Sequence, residues 1–295
     1  MSDGHSHSHS HGDRATAVVR TKTELRVLRA AMTGEVAVVM TMGALHQGHL
    51  MLVERARAVA EHVILTVFVN PLQFGPDEDF DAYPRSLESD LAMVDGLVDL
   101  VFAPSVEEMY PTLPPMVSVS ANRTGTLYEG ASRPGHFDGV VTVVTKLLNL
   151  TTPQAAVFGR KDAQQLAIVE SLVRDLDLPV RIEAVDIQRE PEGLARSSRN
   201  LYLSDEGRRH ALGLSATIAA AREASPSLSA VLAVLDATLS TGGADGLRFD
   251  YALALDPVTL LPVEPEHRGP TLVMLAGWVE GTRLLDAAVV ETTAP

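Results

Sequence analysis

The sequence predicts an α/β chain: a doubly wound parallel sheet followed by a smaller α+β unit. Short apolar runs, the pattern of strands buried on both faces, alternate with segments whose apolar residues recur at three- and four-residue spacing. After about residue 187 the order changes to two Ala- and Leu-rich helical stretches and then three strand-like ones.

Strands are expected at 36–40, 63–69, 100–103, 155–158 and 180–184, with helices between them at 50–60, 86–97, 140–150 and 164–176. In such a sheet, ligands sit at the carboxyl ends of the strands. His46, Gln73 and Lys161 each fall just after a predicted strand. Further on, helices are expected at 204–224 and 227–239 and strands at 249–255, 271–276 and 282–289, with loops at Gly242-Gly243 and across 256–270. The implied division is a Ser/His tail or tag at 1–13, a doubly wound unit at 14–186 and a smaller α+β unit at 187–295.

Composition narrows the function. With 24 Lys and Arg against 38 Asp and Glu, the formal charge of −14 argues against a nucleic-acid partner, whose phosphates would call for a basic face. The chain has no cysteine, which excludes disulfides, thiolate metal sites and cysteine catalysis. No apolar run reaches the length of a membrane span, and no apolar signal core follows Met1, so the cytoplasm is the expected compartment.

The densest chemistry lies in Thr41-Met42-Gly43-Ala44-Leu45-His46-Gln47-Gly48-His49-Leu50. A strand, a Gly-containing turn, two histidines and a helix start follow one another, so backbone N–H groups and the positive end of a helix dipole converge where a phosphate would lie. A single histidine there is more often a cap or a partner for a buried carbonyl. Two around a glycine point to donors for phosphoryl oxygens, through hydrogen bonds or positive charge.

His46-Gln47-Gly48-His49 resembles the His-x-Gly-His signature of the nucleotidylyltransferase and class I aminoacyl-tRNA synthetase superfamily. The longer string resembles the pantothenate synthetases, the pantoate–β-alanine ligases of that superfamily. Asn70-Pro71-Leu72-Gln73-Phe74-Gly75, Asp81-Ala82-Tyr83-Pro84-Arg85, Arg133-Pro134-Gly135-His136-Phe137-Asp138-Gly139-Val140, Phe158-Gly159-Arg160-Lys161-Asp162-Ala163-Gln164-Gln165-Leu166 and Ser197-Ser198-Arg199-Asn200 are similar to that family's blocks, in its order.

The resemblance implies a Rossmann-like amino-terminal domain with a carboxyl-terminal lid, and ATP-dependent joining of pantoate to β-alanine through a pantoyl adenylate, releasing pyrophosphate and AMP. It assigns His46, His49, Lys161 and Arg199 to catalysis. Met42, Gly43, Gly159, Asp162, Gln188, Arg196, Ser197 and Ser198 join them around ATP, while Gln73, Gln165, Asn70, Arg133 and His136 go to pantoate or β-alanine. Mg²⁺ is implied with ATP, with Asp90 as its candidate ligand, and a homodimer is implied as the assembly. Met40, Gln47, Ser89, Ala163 and Arg196 depart from the family's usual residues. Another small-molecule adenylyltransferase and a non-catalytic nucleotide sensor are the alternatives; the sensor would need a broken site, yet the phosphate-facing residues are all present.

Overall fold

The computed structural model describes residues 16–75, 80, 83–241 and 246–293. The expected tail, Asp81-Ala82 and Gly242-Gly243 lie outside them.

The first part runs β1 (Ala17–Val19), α1 (Lys22–Ala31), β2 (Val36–Thr41), α2 (Gln47–Val59), β3 (His62–Val67), α3 (Leu87–Val94) and β4 (Leu100–Phe102). Two short helices follow, α4 (Val106–Met109) and α5 (Glu129–Ser132), then α6 (His136–Thr151), β5 (Ala155–Gly159), α7 (Ala163–Asp175) and β6 (Arg181–Val185). The six strands form one parallel sheet in the order β1-β4-β3-β2-β5-β6.

Both faces of the central strands are covered, which is why 36–40, 63–65 and 155–158 read as unbroken apolar runs, whereas the edge strand β6 carries Arg181 and Glu183 and has no buried residue. In β2, Ala37 and Val39 pack with Val53 and Ala56 of α2 and Val94 of α3. Val36 and Val38 turn the other way, into a core shared with Val144 and Leu147 of α6 and Ile168 of α7. From β2 the chain winds outward to β3 and β4, and from β5 it winds the opposite way to β6. The crevice beyond the ends of β2 and β5 is therefore the topological switch point, where open α/β sheets bind ligands.

The second part contains α8 (Asp205–Ala224), α9 (Leu228–Ser240) and the antiparallel strands β7 (Leu247–Leu255), β8 (Gly269–Val279) and β9 (Thr282–Thr292), in the order β7-β8-β9. One face of this small sheet packs Val273, Leu275 and Val290 on Leu214 and Ile218 of α8 and Val231 of α9. The other face contributes Leu255, Leu272, Met274 and Ala287 to the core on the α6 side of the large sheet. The seam between the parts also holds Arg283, paired with Glu129 at 2.5 Å and Asp250 at 2.8 Å, while Tyr251 Oη donates to Glu129 at 2.8 Å.

Periodicity does not announce β1 or α1. A three-residue strand is too short to show a period, but α1 carries a capping box in which Thr21 and Glu24 satisfy each other's backbone N–H. Among the described residues no helix is long and apolar enough to cross a membrane.

Candidate active site

A cavity of about 280 Å³ opens at the switch point. Met42, His46, His49 and Gln73 line it from the β2 and β3 side, and Gly159, Lys161, Asp162 and Gln165 from the β5 side. Gln188 and Arg196 reach it from the segment that joins the two parts.

His46 is the N-cap of α2, and its Nδ1 accepts the backbone N–H of Gly48 at 3.1 Å. His49 Nδ1 in turn accepts the backbone N–H of His46 at 3.2 Å. The two rings thus form a reciprocal capping box, work usually done by Ser or Thr with Glu. An added Cβ at Gly48 would lie 2.9 Å from the His46 ring, so only glycine lets that ring fold over its own helix start.

This arrangement fixes the protons. With both Nδ1 atoms accepting, each neutral imidazole carries its hydrogen on Nε2, leaving that N–H to donate. Burial, the neighbouring His46 and Lys161 depress the His49 pKa to about 3. Burial and Lys161 lower that of His46 as well. Of the two contributions expected from the sequence, hydrogen bonds or positive charge, the geometry favours neutral N–H donors. Positive charge at the cavity comes from Lys161, at the turn between β5 and α7, and from Arg160 and Arg196.

Gln73 ends a short 3-10 turn after β3 and is 8% exposed. Its amide oxygen accepts from Asn70 Nδ2 at 3.0 Å, and its Nε2 donates to the Met42 sulfur at 3.2 Å. Its backbone carbonyl accepts from His136 Nδ1 at 2.9 Å and Arg133 at 3.3 Å. Asn70 is saturated: it also meets Gly139 O, Leu72 N and Tyr110 Oη. Asn70, Arg133 and His136 do not line the cavity; they orient Gln73. α6 approaches so closely that a Cβ at Gly139 would sit 2.2 Å from Leu72 O and 2.6 Å from Gln73 N.

Of the adjacent glutamines, Gln164 is buried and spends its amide on Glu129 N, Thr124 O and Leu127 O. Gln165 is the one that faces the cavity. Gln188 and Arg196 flank a β-bridged turn, with Arg196 N–H donating to Gln188 O at 2.8 Å. The turn is tied to the carboxyl-terminal part by Arg189 to Asp286 at 2.7 Å and by Glu190 to Arg208.

Ser197, Ser198 and Arg199 stand outside the cavity lining. Ser197 Oγ accepts from Arg199 N–H at 3.3 Å, and the exposed Arg199 side chain donates to the Arg283 carbonyl at 3.3 Å. Gly43 is likewise outside the lining, in the turn before the histidines.

Asp90 is not placed as a Mg²⁺ ligand. It is 3% exposed and absent from the cavity lining, and its two oxygens accept the backbone N–H groups of Ala44 at 3.1 Å and Leu45 at 2.7 Å. Among the described residues no group of three or more His, Cys, Asp or Glu could hold a metal. Mg²⁺ usually keeps waters and phosphate oxygens as ligands, so a nucleotide could carry it without a protein cage.

Periodicity alone misses part of the wall. Val140, Val143, Val144 and Leu147 of α6 line the cavity, an i, i+3, i+4, i+7 stripe with the signature of ordinary core. Tyr83 also reaches it.

The family model described as pantoate-beta-alanine ligase matches residues 17–289. The pantothenate synthetase of Acidothermus cellulolyticus is 48% identical over 280 residues, covering 93% of this chain and 92% of that protein. That of Thermobifida fusca is 48% identical over 282 residues, covering 92% and 95%. The crystal structure of pantothenate synthetase from Thermus thermophilus superposes with a TM-score of 0.82 at 45% identity, over 92% of this chain and 99% of that one. The ligase from Francisella tularensis, complexed with beta-gamma ATP and beta-alanine, superposes at 0.73 and 29% identity, over 93% and 98%. A parallel sheet with its cavity at the switch point, paired histidines at the start of α2 and similarity over nearly the whole length agree, and the chain belongs to the pantoate–β-alanine ligase family.

Proposed function

We propose that this cavity carries both half-reactions of pantoate–β-alanine ligation. In the first, a carboxylate oxygen of pantoate attacks the α-phosphorus of ATP, and the bond to the bridging oxygen breaks to release pyrophosphate. In the second, the amine of β-alanine attacks the acyl carbon, loses a proton, and displaces AMP.

The observation that carries this proposal is that His46 and His49, each with its Nδ1 taken by a backbone N–H, line one cavity together with Lys161, Gln73 and Gln165. The histidines donate to phosphoryl oxygens as charge accumulates there, an effect that needs fixed donors and no proton transfer. Pyrophosphate is a weak base and leaves without a general acid. Lys161 supplies compact positive charge. Gln73 and Gln165, donor and acceptor at once, suit the hydroxyls and carboxylate of pantoate. Gly159 at the end of β5, Asp162 at the N-cap of α7 and Gln188 beyond β6 border the nucleotide side.

Mg²⁺ would be held through the phosphate oxygens of ATP and waters, beside Lys161, and would supply charge neutralisation on the polyphosphate. Ser197, Ser198 and Arg199 complete the triphosphate contacts when residues 187–295 act as a lid over residues 14–186. The cytoplasm and a homodimer belong to the same proposal, and light scattering on the purified chain tests the latter.

The deciding experiment follows nucleotide products with Mg-ATP and pantoate, with and without β-alanine. AMP release that depends on both substrates, together with pyrophosphate–ATP exchange that needs pantoate alone, is the expected result. ADP as product, or exchange independent of pantoate, overturns it. An adenylyltransferase would form its adenylate and ignore β-alanine, and a sensor would bind ATP without turnover.

A further inference from the structure

We infer that Asp90 is a positioning residue for the histidine pair and acts by gripping the turn in front of it. The carboxylate sits on α3, a separate element from the turn, and is 3% exposed. Its Oδ2 accepts the N–H of Ala44 at 3.1 Å and its Oδ1 that of Leu45 at 2.7 Å. These two successive N–H groups lie immediately before His46, in a turn where Gly43 has φ +85° and Ala44 has φ +50°.

A non-glycine residue at positive φ costs free energy and persists only where its surroundings hold it there. Asp90 is the group that holds Ala44. Charge-assisted hydrogen bonds to two adjacent N–H groups act as a two-point clamp, fixing the direction in which the chain leaves β2 and enters α2. His46, next in sequence, has its ring fixed by Gly48 and its backbone N–H fixed by His49. The clamp therefore sets where both Nε2–H groups point. Its contact with the reaction is indirect, since Asp90 itself does not line the cavity.

The inference rests on the assignment of His46 and His49 to the nucleotide. Asp90→Asn tests it, because the amide matches the carboxylate in size, yet one of the two N–H groups must then face an NH₂. Rapid-quench measurement of pantoyl adenylate should show formation slowed about 10²-fold, the size expected when a reacting group is misplaced by about 1 Å. Pantoate affinity and the Mg²⁺ concentration for half-maximal rate should stay at wild-type values. Ring ¹⁵N shifts of His46 and His49 should move from a pure Nε2–H tautomer to a mixture. Wild-type adenylate formation in folded Asp90→Asn overturns the inference. So does a raised Mg²⁺ requirement with the rate recovered at high Mg²⁺, which would make Asp90 a metal ligand. A variant that does not fold overturns it as well, by making the carboxylate a requirement of the whole fold. His49→Ala, measured alongside, separates the two levels. If it is slow while Asp90→Asn is not, only the clamp fails; if His49→Ala itself runs at the wild-type rate, the histidine assignment fails.

Discussion

The Nδ1 of His49 receives the backbone N–H of His46 at 3.2 Å, with the two ring centroids 4.1 Å apart. One contact serves two purposes: it caps α2, and it commits the His49 proton to Nε2. The two purposes come apart under substitution. His49→Ala should lower adenylate formation about 10²- to 10³-fold, the usual effect of removing one fixed donor to developing charge, and should cost about 1 kcal/mol through the lost cap. His49→Glu restores the side chain that normally fills this capping position, so its thermal midpoint should return toward wild type while its rate stays low. Recovery of both together would make the histidine a cap and nothing more. His46→Ala should cost a comparable factor in rate.

The same burial makes the fold sensitive to acid. His49 titrates near 6.5 when unfolded and at about 3 in the native chain. Between these values the unfolded chain binds a proton that the folded chain does not, so stability is full above pH 6.5 and falls as pH drops through the window. At pH 5 the loss should be about 1–2 kcal/mol. Urea unfolding of wild type and His49→Gln at pH 7 and pH 5 checks the sign: the wild type should lose more.

Much of this is legible in the sequence, for a physical reason. β2, β3 and β5 are buried on both faces, and their apolar runs survive every competing demand. Periodicity places two helix starts late. α2 begins at Gln47 rather than 50, and α6 at His136 rather than 140, because their first turns are polar or carry glycine and their work is capping and site-building. Roles that depend on distant contacts are not legible. Nothing local says that Asp90 reaches Ala44 and Leu45, or that Arg133 and His136 hold the Gln73 carbonyl. Ser197 to Arg199 look like phosphate ligands in sequence but stand outside the cavity lining.

Gln73→Ala should weaken pantoate far more than ATP. The lost amide contact to a substrate hydroxyl or carboxylate is worth roughly 1–3 kcal/mol, and Asn70, which now donates to that amide, is left with one fewer acceptor. Titration calorimetry with each ligand decides it, and equal weakening of both would assign Gln73 to the wrong subsite.

Gly139→Ala provides a test in which no polar group is removed. The new methyl would meet Leu72 O at 2.2 Å and Gln73 N at 2.6 Å, both backbone atoms that cannot swing aside. α6 must therefore back away from the turn that carries Gln73, or the turn must move. Overpacking of this kind costs about 1–3 kcal/mol of stability, and the displacement should also reach the cavity, because Val140, Val143 and Val144 on the same helix line it. The expected outcome is a lowered thermal midpoint and weakened pantoate binding, with ATP affinity close to wild type because the histidine turn is anchored separately by Asp90. A folded Gly139→Ala that binds pantoate as tightly as wild type would show that the seating of Gln73 against α6 does not set the pantoate subsite.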